Sequence, residues 1–212
     1  MPLSTKPPGP RTGHSIPGCY AAPLADCGGR PSTLEHYVSK ALLLRFGNKF
    51  HVDGPDWAVQ GKYFTEKSLR AKVLCERHNG ALSPLDRVIG EFYDVLSAAH
   101  RGRVGIRDFD GEDLERWALK VMLGVASSGS AVIAGKRERA IVVPELYLKI
   151  LFGEQEMPDY CGFYYIGGCV PALDADLLSI ALEQYASDDP DAGKLYGVTL
   201  RLLDFQFLTS VT

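Results

Sequence analysis

From residue 84 onward the apolar positions fall at helical spacing. Leu85, Val88, Ile89, Phe92 and Leu96 line one face, and Ser83, Pro84 and Asp86 supply an N-cap, a first-turn proline and a first-turn acid. This predicts a helix over 84–99. Asp110 is the next cap, followed by the stripe Leu114, Trp117, Ala118, Val121, Met122 and Val125, which ends in the breaker SSGS. A third, shorter helix is expected from Pro144 to Phe152, stopped by Gly153.

The period then changes. Tyr196, Val198, Leu200 and Leu202 alternate with smaller or polar residues, and Phe205, Phe207, Thr209 and Val211 continue with period two, the mark of half-buried strands. Residues 174–185 suit either a strand or a helix. A strand is favoured, because DDPDAG at 188–193 makes a good hairpin loop. Residues 18–82 lack such periodicity: they are rich in cysteine and glycine, with only short apolar runs. Residues 1–17 read as a flexible Pro/Gly-rich arm. The expected architecture is α+β, with a module over 18–100 and an acidic region of helices and a small antiparallel sheet over 101–212.

Composition is that of a folded chain: 212 residues, 46% hydrophobic and 23% charged, with no apolar run long enough for a membrane span. The absence of an apolar leader core and the odd count of five cysteines lead to the expectation of a reducing, cytoplasmic setting. The net charge of −3 argues against a general polyanion binder. It conceals an asymmetry, since residues 1–90 carry 12 Lys+Arg against 7 Asp+Glu (+5) and residues 91–212 carry 11 against 19 (−8). The basic share lies with the irregular half.

That half holds the candidate chemistry. Cys75 and His78 form a C-x-x-H pair, and Cys19 and Cys27 lie upstream, completing by type and count a Cys₃His set for structural zinc. Metal binding would also explain how so loop-rich a segment folds. The spacing is unusual, with seven residues between Cys19 and Cys27 where a zinc knuckle has about 2 to 4. Cys161 and Cys169, flanking GFYYIGG, read as small core residues beside a strand, and His51 as a turn histidine.

Two cysteines, then the acid–His pair Glu35-His36, then C-x-x-H followed directly by Asn79, is an order that resembles the zinc-stabilised HNH endonucleases. VLCERHNGALSPLD resembles the second half of a bacterial HNH-like family, and LERWALKVMLGVASSG its downstream helix. The resemblance implies a ββα-metal module of treble-clef type. It also implies that Glu35 and Asn79 hold a catalytic Mg²⁺ or Mn²⁺, and that His36 is the general base that activates water for phosphodiester hydrolysis. Imidazole titrates near neutrality, as that role requires. Lys40, Arg45, Lys72 and Arg77 would contact nucleic acid, with DNA the favoured substrate. The middle Asn that orients the base in such enzymes has no counterpart in EKSLRAKVLC. The alternative expectation is therefore a degenerate, zinc-scaffolded module that binds nucleic acid or protein without cutting. The acidic half offers a surface for a protein partner or a second copy.

Overall fold

A computed structural model describes residues 1–31, 33–47, 50–53, 62–103, 105–129, 143–167, 177–184 and 194–211. These residues form a mixed α and β structure with four α-helices and two sheets. The smaller sheet pairs β1 (Thr33–His36) with β4 (Arg70–Leu74), antiparallel, Glu35 opposite Ala71 and His36 opposite Arg70. The short helix α1 (Lys40–Leu43), β2 (Phe50–Asp53) and β3 (Lys62–Phe64) lie between them in sequence.

Helix α2 (Glu76–His100) follows β4 after a single residue, Cys75, which is its N-cap. It begins eight residues before the predicted start. Ser83-Pro84 looks like a helix entrance, but Pro84 lies inside the helix, where it cannot donate to the carbonyl of Gly80. The Ser83 hydroxyl takes that acceptor instead, 2.9 Å from Gly80 O. The gap in the ladder is thus closed locally, and the helix runs through.

Helix α3 (Gly111–Ser127) starts where expected, Asp110 Oδ1 accepting from the Glu112 N–H at 3.2 Å. It is the central element. Leu114, Trp117, Val121, Met122 and Val125 are buried, and so are Leu119, Lys120, Leu123 and Ala126 between them. Gly124 permits a close approach: a Cβ there would stand 2.5 Å from Tyr37 Cβ, so α3 can lie against the chain leaving β1. Helix α4 (Glu145–Leu151) matches its prediction and ends at Gly153, whose φ of +68° suits glycine.

The larger sheet has the order β3-β2-β6-β7-β8-β5, with β5 (Gly162–Tyr165), β6 (Leu177–Gln184), β7 (Leu195–Leu202) and β8 (Phe205–Ser210). Residues 177–184 are strand, as favoured. The hairpin loop expected at 188–193 lies outside the described residues, as does Cys169. Pairing is antiparallel except where β2 joins β6 in parallel. Through that join, strands from both sides of residue 100 share one sheet, and one apolar cluster runs from Cys19 to Val211. Residues 1–17 form no regular element but hydrogen-bond to the body: Leu3 N–H to Asp113 Oδ1 at 2.8 Å and Thr12 N–H to Asp26 Oδ1 at 2.9 Å. Among the described residues, no helix is long and apolar enough to cross a membrane.

Candidate metal centre

The loop before β1 and the first turn of α2 build one buried cluster. Cys19 is fixed by its N–H to Ile16 O (3.1 Å), and Tyr20 N–H ties the loop to Val73 O of β4 (2.9 Å). The seven residues between Cys19 and Cys27 contain a 3₁₀ turn, Ala22–Leu24, ended by Ala25 in a left-handed conformation. This turn folds the gap back on itself, so a long spacing returns Cys27 to Cys19's side. Cys75 and His78, three apart at the head of α2, face the same way.

The cluster is clamped from outside. Glu76 N–H donates to Arg30 O and Arg77 N–H to Gly28 O, each at 3.2 Å, so two helix-end donors bind the loop that carries Cys27. Gly29 sits at φ +71°, a conformation that favours glycine, and a Cβ there would crowd the Glu76 side chain. The Arg77 guanidinium holds Asp26 at 3.0 Å and the carbonyls of Pro8 and Pro10, bracing the same loop.

Cys19, Cys27, Cys75 and His78 are all buried, and their ligand atoms lie within 4.8 Å of one another. His78 Nδ1 is 3.2 Å from Cys75 Sγ, 3.5 Å from Cys19 Sγ and 3.8 Å from Cys27 Sγ. With Zn–S near 2.3 Å and Zn–N near 2.0–2.1 Å, the nitrogen-to-sulfur edge of a tetrahedron is about 3.5 Å. The observed spread brackets that value. The thiols are free, and this group could hold a metal ion such as zinc. His78 Nε2, on the far side of the ring, is buried with no hydrogen-bond partner among the described residues, and the ring lies 4.8 Å from that of Phe152.

Burial lowers the His78 pKa to about 4, so the imidazole is neutral at pH 7 and ready to ligate. Burial pushes the Cys19 and Cys27 thiols up. Both must therefore lose protons when a metal binds. Zinc affinity is expected to rise by at least roughly a hundredfold per pH unit near neutrality, the Cys19 and Cys27 protons both being displaced. Competition with a chelator across pH checks this, and a flat profile would show that the thiols are already ionised.

The other predicted residues separate into two groups. Glu35 faces inward, 5% exposed, with Oε1 2.8 Å from Lys120 Nζ of α3. The same ammonium is 2.9 Å from Asp86 Oδ1 of α2. Ser39 Oγ donates to Asp86 and accepts from Trp117 Nε1–H at 2.9 Å, extending the network. Burial raises the Glu35 pKa, with Lys120 opposing. Burial disfavours the ammonium too, but Asp86 and Glu35 outweigh it and keep Lys120 charged.

His36 follows Glu35 in β1, where the pleat turns neighbouring side chains to opposite faces. It is half-buried, opposite Arg70, while exposed Leu34 is opposite exposed Lys72. Lys40 is exposed at the start of α1. Arg45 grips Asp94 with two nitrogens at 2.8 Å. Of the four predicted contact residues, Lys40, Lys72 and Arg45 are exposed, Arg45 in a surface ion pair with Asp94, whereas Arg77 is partly buried against Asp26. Asn79 sits in the first turn of α2, its N–H donating to Cys75 O at 2.9 Å. His51 lies in β2, not in a turn.

Sequence reasoning missed Lys120 and Asp86. The available signal was a lysine inside the apolar arc of α3, three residues after Trp117. The chain matches no known protein-family model, no curated protein and no solved structure.

Proposed function

We propose that this is a zinc-scaffolded, HNH-like nucleic-acid-binding protein. The observation that carries the reading is the Cys₃His cluster, which joins the 19–27 loop to the start of α2, immediately after β4. Zinc at that junction would hold a strand pair and a helix as one rigid unit, the ββα arrangement that the resemblance implies. The outward face of the pair carries Leu34, His36, Arg70 and Lys72, with Lys40 close by in sequence. Such a surface suits a phosphate backbone better than an apolar partner. The four described cysteines are free thiols, which fits a reducing compartment.

The test is binding of fluorescently labelled duplex DNA and single-stranded RNA at several salt concentrations. The affinity should fall steeply with salt, by a log–log slope of about −1.8 for two lysine–phosphate contacts on B-DNA. The double variant Lys40→Glu, Lys72→Glu should lose most of that dependence. Binding to neither polymer, or binding indifferent to salt and to both lysines, would reject the reading.

Metal-dependent endonuclease activity is the second reading. It rests on the order Glu35-His36 followed by Asn79 next to His78, which the resemblance reads as the acid, base and final metal-ligand positions. His36, on the outward face, would be the base. Plasmid cleavage in Mg²⁺ or Mn²⁺ that disappears with His36→Ala would establish it, and cleavage unchanged in that variant would remove His36 from the chemistry.

A further inference from the structure

The resemblance to HNH enzymes implies a catalytic divalent ion on Glu35 and Asn79, and the residues around Glu35 do not fit one. An ion of the Mg²⁺ type takes six ligands at 2.0–2.1 Å and keeps several waters. Glu35 is 5% exposed, which leaves little room for those waters. Its Oε1 already faces an ammonium at 2.8 Å, and that ammonium, 1% exposed, also holds Asp86 at 2.9 Å. Two carboxylates around one buried cation are the surroundings a divalent ion would seek. Here a side chain supplies the charge.

The approach of Lys120 is built into the fold. Its stem leaves the buried face of α3 between Trp117 and Gly124, and Ser39 Oγ, which accepts from Trp117 Nε1–H, donates to Asp86 beside it. A divalent ion at Glu35 would stand within a few ångströms of this ammonium, where like charges repel strongly in a low-dielectric surrounding. Glu35 also points away from the face that carries His36, so acid and base address opposite sides of β1.

From this geometry we infer that Lys120 is a resident cation, standing between Glu35 and Asp86 in place of a divalent ion, and that this chain does not use Glu35 as a metal ligand. The inference takes from the HNH-like reading only the role expected of Glu35. Zinc content measured on the same samples fails separately.

The probe is Mn²⁺ added to the zinc-loaded chain, with bound ion read from the loss of the free Mn²⁺ electron-spin-resonance signal. Wild type should show no binding that Glu35→Gln removes. Lys120→Ala, and Lys120→Ser as a second variant that also vacates the space, should gain about one Mn²⁺ site per chain, lost again when Glu35→Gln is added. Wild-type binding that depends on Glu35 would overturn the inference. So would a folded Lys120 variant that gains no site. If neither Lys120 variant folds, the wild-type and Glu35→Gln comparison decides alone.

Discussion

Cys75→Ser is expected to abolish zinc binding and unfold the segment from Cys19 to the first turns of α2. The four ligands come from two stretches of chain with little apolar periodicity of their own. Structural zinc in small fingers supplies an apparent ~10–16 kcal/mol of binding free energy at neutral pH. A whole domain is stable by only ~5–15 kcal/mol. Even partial loss of the metal term would therefore exceed what the loops around Cys19 and Cys27 can replace. Cys161→Ser is the control, since Cys161 is half-buried before β5 and outside the cluster. Limited proteolysis should cut the Cys75→Ser chain within residues 14–31 and spare the control. Equal resistance of both variants would mean that packing alone holds the loop.

Lys120→Met is expected to destabilise the fold by about 3–5 kcal/mol, the usual effect of removing one partner from a buried charge cluster. The thioether fills much of the space but leaves two carboxylates, Glu35 and Asp86, facing each other without a cation. For a chain of this size that corresponds to roughly 10 °C in melting temperature. The companion Glu35→Gln should recover a large part of the loss, because the uncompensated charge, more than the missing contact, is the main cost. A melting temperature lowered equally in the single and double variants would show that the cluster's charges are not coupled. This test is separate from Mn²⁺ binding and reads the same three residues through stability.

Much of the fold is readable from pattern because it rests on local periodicity. Helices α3 and α4 and strands β7 and β8 have enough turns or alternations to declare themselves, whereas β6 suits helix or strand and is favoured as strand only through the hairpin loop expected after it. The Cys₃His set was also legible, since thiol and imidazole at C-x-x-H spacing have few other common uses. Its one irregular feature, the gap from Cys19 to Cys27, is explained by the 3₁₀ turn at Ala22–Leu24. The start of α2 was misread for a physical reason: Ser-Pro has the same signature at a helix entrance as inside a helix where serine covers the orphaned carbonyl.

What stayed hidden depends on distant partners. Strands β2 and β3 are only four and three residues long, and they become strands by joining a sheet whose next member starts at Leu177. The Glu35–Lys120–Asp86 cluster draws one residue from each of β1, α3 and α2. No spacing rule connects them. Glu35 thus carried the correct surroundings for a cation in the sequence, while the identity of that cation, a lysine, was visible only in three dimensions.

The measurement that bears most directly on the whole account is elemental analysis of the purified chain, paired with circular dichroism before and after chelation. The account predicts about one zinc per chain and loss of ordered structure when a strong chelator removes it, reversed by added zinc. A chain that is folded without zinc, takes none up, and is unchanged by chelation would contradict it.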